Sequence, residues 1–240
     1  MNSQDYIRKE ALPLKWCQGC GLHFLFSFTA EALDELNLKN SVVVSGIGCT
    51  GRGAGFFNLD SIHGMHGRGI PLAVGLKLGN PKLNVVVFSG DGDLLGIGGN
   101  HLIHSARRND DITVICFRNE VFAMTGMQVA PTTKKGVITI TTPDGNLFYP
   151  INAQGIITSN KNYFYARSNP MHRDHLKKVL KEAILHEGFS FVEIVFPCAV
   201  DYAKKTGKGI PEMYKEYKEK FRIVDGNKVL EENELGVMKK

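Results

Sequence analysis

Short β-branched runs recur along this chain at intervals that leave room for one helix between successive runs. Ser41-Val42-Val43-Val44-Ser45, Asn84-Val85-Val86-Val87-Phe88 and Asp111-Ile112-Thr113-Val114-Ile115-Cys116-Phe117 carry apolar side chains at consecutive positions. A strand of that kind has no face to give to water, so both of its faces must be buried. The stretches from about Leu22 to Leu38, Gly69 to Leu78 and Leu94 to Arg107 read as helices. Further on, Asn162 to Ala166 and Ser190 to Phe196 read as strands, with a helix from Arg173 to His186 between them. Strand and helix in alternation predict an α/β fold, a single doubly wound, mostly parallel sheet with helices on both faces. The domain is expected over residues 1–203, followed by a Lys-rich C-terminal extension over 204–240, of which Lys204 to Arg222 is helix-like only after Pro211 and reads as a solvated surface segment. Pro131 to Asn146 has no period and is rich in turn formers, which predicts a long functional loop.

With 240 residues there is room for one such domain. No uncharged apolar run approaches the roughly 18 to 20 residues that cross a bilayer, and the start lacks a basic segment followed by an apolar one. No membrane association is expected, and a cytoplasmic location is. Lys and Arg total 29 against 24 Asp and Glu, an excess too dispersed to predict nucleic-acid binding. Five cysteines, an odd number without an export signal, direct attention to metal or redox chemistry rather than disulfides.

Two glycine turns follow the first two long strands. Gly46-Ile47-Gly48-Cys49-Thr50-Gly51 fits the dinucleotide fingerprint G-x-G-x-x-G. Its surroundings argue otherwise: Arg52-Gly53-Ala54-Gly55 does not open an amphipathic helix, and His66 stands where a ribose-binding acid belongs. The second turn, Ser89-Gly90-Asp91-Gly92-Asp93, lies at the carboxyl end of a strand, where open α/β sheets bind ligands. Asn119 ends the next strand, 28 residues after Asp91. A carboxylate, an amide oxygen and a nearby main-chain carbonyl are hard ligands suited to Mg²⁺, which prefers to complete its shell with phosphate oxygens. The pair therefore reads as a Mg²⁺–diphosphate clamp, against the plainer reading of an acidic turn and a cap.

Cys17-Gln18-Gly19-Cys20 places two thiols within reach of one centre, while Cys49 sits in the first glycine turn and Cys198 follows the last strand. If those strand ends share one edge of the sheet, the four thiols form one site for an iron–sulfur cluster or for structural zinc, and spacing alone does not separate the two. Cys116 lies inside an apolar strand and reads as a small buried hydrophobe.

Gly90-Asp91-Gly92 followed by Asn119 resembles the thiamine diphosphate motif. The ordered set Cys17-x-x-Cys20-Gly21, Gly46-Ile47-Gly48-Cys49, His66-Gly67-Arg68, Gly90-Asp91-Gly92-Asp93, Asn119, Thr125-Gly126-Met127-Gln128 and Pro131-Thr132-Thr133 is similar to the β subunits of 2-oxoacid:ferredoxin oxidoreductases, from about Trp16 to Cys198. The resemblance implies the pyrophosphate-binding domain of the thiamine diphosphate fold. It implies a [4Fe–4S] cluster on Cys17, Cys20, Cys49 and Cys198, and Mg²⁺ on Asp91, Asn119 and the carbonyl of Val121. Ile47, Gly48, Cys49, Thr50, His66, Gly92, Asp93, Ala123 and Met124 are expected to line thiamine diphosphate. Arg68 is expected near phosphate, near a partner or in a surface ion pair, and His63 has no matched role. Phe122 stands where many relatives have tyrosine, and the Thr125 to Gln128 stretch lacks a lysine, leaving the substrate carboxylate to other groups.

The implied activity is the coenzyme A-dependent oxidative decarboxylation of a 2-oxoacid, with 2-oxoglutarate favoured over pyruvate by the Thr125-Gly126 pairing. Electrons would leave through the cluster to ferredoxin or a cluster-containing subunit. The glutamate that activates thiamine is expected on an α subunit carrying the pyrimidine-binding domain, so no catalytic residue is assigned in this chain. Two alternatives stay open on the residues alone: a non-redox thiamine diphosphate-dependent decarboxylase subunit, and a zinc-stapled, non-catalytic binding module.

Overall fold

A computed structural model describes residues 3–240. After two short 3₁₀ turns the chain forms α1 (Leu22–Glu35), β1 (Ser41–Ser45), α2 (Gly53–Phe56), β2 (Asp60–His63), α3 (Gly69–Gly79), β3 (Asn84–Gly90), α4 (Gly99–Arg108) and β4 (Thr113–Arg118). A small hairpin follows, β5 (Val121–Phe122) and β6 (Gln128–Val129). The second half is α5 (Ala153–Thr158), β7 (Phe164–Ser168), α6 (Arg173–Leu185), β8 (Ser190–Val195), α7 (Ala199–Thr206), α8 (Ile210–Lys220), β9 (Arg222–Ile223) and β10 (Glu234–Lys239).

Eight strands make the main sheet in the order β2-β1-β3-β4-β8-β7-β10-β9. All its pairings are parallel except that of β10 with β7. The register explains why the strands are apolar throughout. Val44, Val87, Val114, Phe191 and Tyr165 form one row across five strands and face one side. Val43, Val86, Phe88, Ile115 and Phe117, on the alternate positions, face the other. The first layer is covered by apolar residues of α3, α4 and α5, including Ile70, Leu102 and Ile157. The second is covered by α1, α6, α7 and α8. α6 buries Leu176, Val179, Leu180, Ala183 and Ile184, the spacing of a helix with one apolar stripe.

The chain leaves β1 for the edge strand β2 and then returns past β1 to β3. The connections above β1 and β3 therefore diverge, and the crevice between their carboxyl ends is the switch point at which such sheets bind ligands. Both glycine turns open into this crevice.

The carboxyl-terminal segment departs from the expectation of an extension beyond the domain, and α8 from that of a solvated surface segment. Met213 and Leu235 are fully buried, and β10 is an integral strand of the sheet. Its charged residues hid this: Glu234 is buried but answered by Arg222 and Lys228 on flanking segments. The helix expected from Leu94 begins instead at Gly99, after a widened turn closed by a bond from the Gly98 N–H to the Asp93 carbonyl, 2.8 Å. Wide turns of this kind recur at functional sites. Among the described residues no helix is long and apolar enough to cross a membrane.

Candidate active site

Three strand ends build the site. β1 delivers Gly46 to Thr50, β3 delivers Gly90 to Asp93, and β4 delivers Arg118 to Val121. The first turn is drawn tight by the Ser45 hydroxyl, which donates to the Gly51 carbonyl at 2.7 Å. Gly48 has φ +90°, a conformation open to glycine, and a side chain there would meet nothing within 4 Å, so the turn presents bare backbone to the crevice. Thr50 is buried beside Gly90, while Ile47 and Cys49 are half-buried at the rim.

Asp91 is 1% exposed. Its Oδ1 accepts the Gly92 N–H at 2.9 Å, and its Oδ2 accepts the Glu120 N–H at 2.8 Å and the Thr132 hydroxyl. A carboxylate has about four acceptor directions, so one is left for a further ligand. Burial pushes the Asp91 carboxyl up to about 6, against the pull of these donors and of Arg118. Asn119 and Val121 flank Glu120, whose N–H ties this segment to Asp91. The Asn119 side chain accepts the Val121 N–H at 3.2 Å.

Gly92 and Asp93 have roles that the motif does not reveal. A Cβ on Gly92 would collide with the Phe122 ring, so glycine here makes room for β5. Asp93 is 3% exposed and spends its carboxylate inside the protein, on the Gly67 N–H at 2.7 Å, the Ser89 hydroxyl and the His66 imidazole. It fixes the His66-Gly67 turn against β3. His66 itself is one-third exposed, its ring edge-on to Phe122. Arg68 is exposed and donates to the Gly67 carbonyl at 3.4 Å. His63 lines a separate surface cavity with Arg8 and Arg52.

The four matched cysteines meet. Cys17, Cys20, Cys49 and Cys198 line one cavity of ≈ 320 Å³, together with Asn119, Ala123 and Met124 from the β4–β6 connection. Trp16 holds the arrangement from behind, donating its indole N–H to the Cys49 carbonyl at 2.8 Å and stacking on Phe26. Burial pushes the Cys20 thiol up to about 12, a shift to which Cys49, Cys198 and Cys17 also contribute. Cys49 and Cys198 are raised in the same way, by burial and by neighbouring thiols. A cation bound among Cys20, Cys49 and Cys198 would deprotonate these raised thiols. Among the described residues no three His, Cys, Asp or Glu side chains are placed to hold one metal ion. Cys116 is fully buried in the opposite layer, among apolar neighbours.

Beneath the site lies a charged network that carries no sequence signature. Glu193, 1% exposed, accepts from Arg118 at 3.2 Å, Arg167 at 2.8 Å and Tyr165 at 2.6 Å. Burial alone would raise its carboxyl, but the two guanidinium groups and the phenol hold it down at about 2. Thr132 and Thr133 stand in the family motif with Pro131 but without a role there; in the structure Thr132 donates to Asp91 and Thr133 to the Glu120 carbonyl. The loop from Pro131 ends in exposed apolar side chains: Leu147, Phe148 and Tyr149 are each at least three-quarters exposed, and Ile138 and Ile140 stand out beside them.

Comparison with known proteins gives the same picture. Residues 46–194 match the family model described as thiamine pyrophosphate enzyme, C-terminal TPP binding domain. The chain is 42% identical over 217 residues to the 2-oxoglutarate synthase subunit KorB of Methanothermobacter thermautotrophicus, covering 89% of this chain and 76% of that one. It is 40% identical over 240 residues to KorB of Archaeoglobus fulgidus, covering 98% and 88%. A 2-oxoacid:ferredoxin oxidoreductase β subunit of Aeropyrum pernix is 42% identical over 185 residues, 76% of this chain and 58% of that one. Among solved structures, a 2-oxoglutarate:ferredoxin oxidoreductase from Magnetococcus marinus, with 2-oxoglutarate, coenzyme A and succinyl-CoA bound, superposes with a TM-score of 0.87 at 27% identity. That match covers all of this chain and 85% of the other.

Proposed function

The chain belongs to the thiamine diphosphate-binding β subunits of the 2-oxoacid:ferredoxin oxidoreductases, and from that premise we propose that it serves the coenzyme A-dependent oxidation of 2-oxoglutarate and passes the electrons through a [4Fe–4S] cluster. One observation carries this reading: the cavity that gathers the four cysteines is also lined by Asn119, Ala123 and Met124 of the candidate thiamine site. Donor and first acceptor would thus share a wall, and electrons need not cross the domain.

The residues fit the groups that this reading requires. Asp91, Asn119 and the Val121 carbonyl would hold Mg²⁺, with the bare backbone at Gly48, buried Thr50 and the rim at Ile47, Cys49 and His66 beside the diphosphate. Two protein oxygen side chains suit Mg²⁺, which takes few carboxylates and keeps positions for phosphate. Thiamine diphosphate supplies, when bound, the electron sink that lets a 2-oxoacid lose CO₂. This chain's part is to hold the cation with one buried carboxylate, to keep His66 oriented through Asp93, and to shield the site behind the Trp16–Phe26 stack. Membership of a ferredoxin oxidoreductase family favours a cluster over zinc on these four thiols, which line one cavity.

A partner subunit completes the site. The single domain has one half of a thiamine fold, and the apolar tips at Leu147, Phe148 and Tyr149 are the kind of exposed patch that another chain covers. That partner, an α subunit, would bring the pyrimidine-binding domain and the activating glutamate, and ferredoxin or a cluster-bearing subunit would take the electrons. A cytoplasmic location, which keeps thiols reduced, belongs to the same reading. Metal analysis tests it: purified without oxygen with its partner, the chain is expected to hold about four iron and four sulfide. Zinc in their place, or no metal in a folded oxygen-free sample, would overturn the electron-transfer role.

A further inference from the structure

Glu120 stands between the candidate metal ligands Asn119 and Val121, where β4 passes into β5, and has φ +65°, a left-handed conformation in which a residue with a Cβ pays a penalty that glycine does not. Such an outlier persists only where its surroundings over-determine it. Here every part of the residue is held. Its N–H donates to Asp91 at 2.8 Å, and its carbonyl accepts the Thr133 hydroxyl at 2.5 Å. Its carboxylate accepts from Arg118 at 2.9 Å, and Arg118 is anchored in turn on buried Glu193 at 3.2 Å. Thr133 is fixed by accepting the Ala130 N–H at 2.8 Å.

We propose that Glu120 is a positioning residue for the Mg²⁺ site: its clamped left-handed backbone sets the Asn119–Val121 segment against Asp91 before any metal arrives. This rests on the metal assignment made above and adds to it a residue outside the motif. Without the clamp, the segment would leave the left-handed conformation for part of the time, and only the remaining fraction would bind metal.

The test is equilibrium dialysis of thiamine diphosphate against the chain assembled with its partner subunit, titrated with MgCl₂. Glu120→Ala, which keeps the Cβ penalty and loses the Arg118 pair, is expected to raise the half-saturating Mg²⁺ about tenfold. Glu120→Gly loses the same pair but adopts the left-handed conformation freely, and is expected to recover most of that loss, to within about threefold of the parent. Thr133→Val, which removes the bond to the Glu120 carbonyl, is expected to shift the requirement in the same direction as alanine and supplies the answer if the alanine variant does not fold. A glycine variant as impaired as the alanine one would mean that the side-chain contact alone matters and would overturn the backbone role, as would a parental Mg²⁺ requirement in all three. Retention of thiamine diphosphate by the parent with Mg²⁺ chelated would instead remove the metal site itself.

Discussion

Replacing Asp91 with alanine is expected to abolish the Mg²⁺-dependent retention of thiamine diphosphate and to leave the iron content unchanged. Asp91 is the one candidate ligand that brings a full charge, and it stands in a place where water does not compete, 1% exposed. Losing a group that merely supports a ligand costs a metal site about 10- to 100-fold, so losing the charged ligand itself is expected to cost more than about 100-fold. Folding must be separated from binding, because alanine also leaves the Gly92 N–H, the Glu120 N–H and the Thr132 hydroxyl without their acceptor. Each orphaned donor costs about 1–3 kcal/mol, offset in part by relief of the burial that holds the carboxyl up at about 6. Asp91→Asn resolves this. The amide keeps the shape and one acceptor oxygen but not the charge; its NH2 leaves one of the two backbone N–H donors unanswered, so it is expected to lose less stability than alanine and still fail to retain the cofactor. Thiamine diphosphate held by either variant at the parental Mg²⁺ requirement would mean that the clamp is elsewhere.

The second large effect separates two cysteines. Cys198→Ser is expected to strip the cluster, with iron falling to a small fraction of the parental value while thiamine diphosphate is still retained. Cys116→Ser is expected to keep the full iron content. Cys198 is half-buried at the start of α7 and shares a cavity with Cys17, Cys20 and Cys49. Cys116 lies within β4, fully buried in the layer that packs on α3 and α4. A hydroxyl buried there without a partner costs about 1–3 kcal/mol, so the Cys116 variant is the one expected to lose thermal stability. Iron and stability thus move in opposite variants. Equal loss of iron from both would break the assignment of the four ligands.

What the sequence reveals depends on how directly a residue's job shapes its neighbours. β1 is legible because a strand buried on both faces can only be a run such as Val42-Val43-Val44. β2 is not legible: as an edge strand it pairs with β1 alone, and Asp60-Ser61-Ile62-His63 is mostly exposed, so no apolar run marks it. β10 is hidden for another reason. Its buried Glu234 reads as surface until Arg222 and Lys228 are seen to neutralise it. In the site, the four matched cysteines are identifiable because the chemistry demands those side chains, and the structure brings them to one cavity. Residues that act through others leave no such trace. Asp93 reads as a ligand-facing acid by its place in Gly-Asp-Gly-Asp, yet it is occupied by Gly67, Ser89 and His66. Glu120 looks like an ordinary surface glutamate until its φ is known, because a left-handed conformation is a property of the fold rather than of the residue type.

The most direct test of the central claim is to add 2-oxoglutarate to the oxidised complex of this chain and its partner, without oxygen, and to follow the cluster by visible absorption and electron paramagnetic resonance. Reduction of the cluster that requires 2-oxoglutarate, Mg²⁺ and thiamine diphosphate, and that disappears in Cys198→Ser, is the predicted result. Release of CO₂ with the cluster still oxidised would contradict it, and would leave a thiamine-dependent decarboxylase whose cysteines carry no electrons.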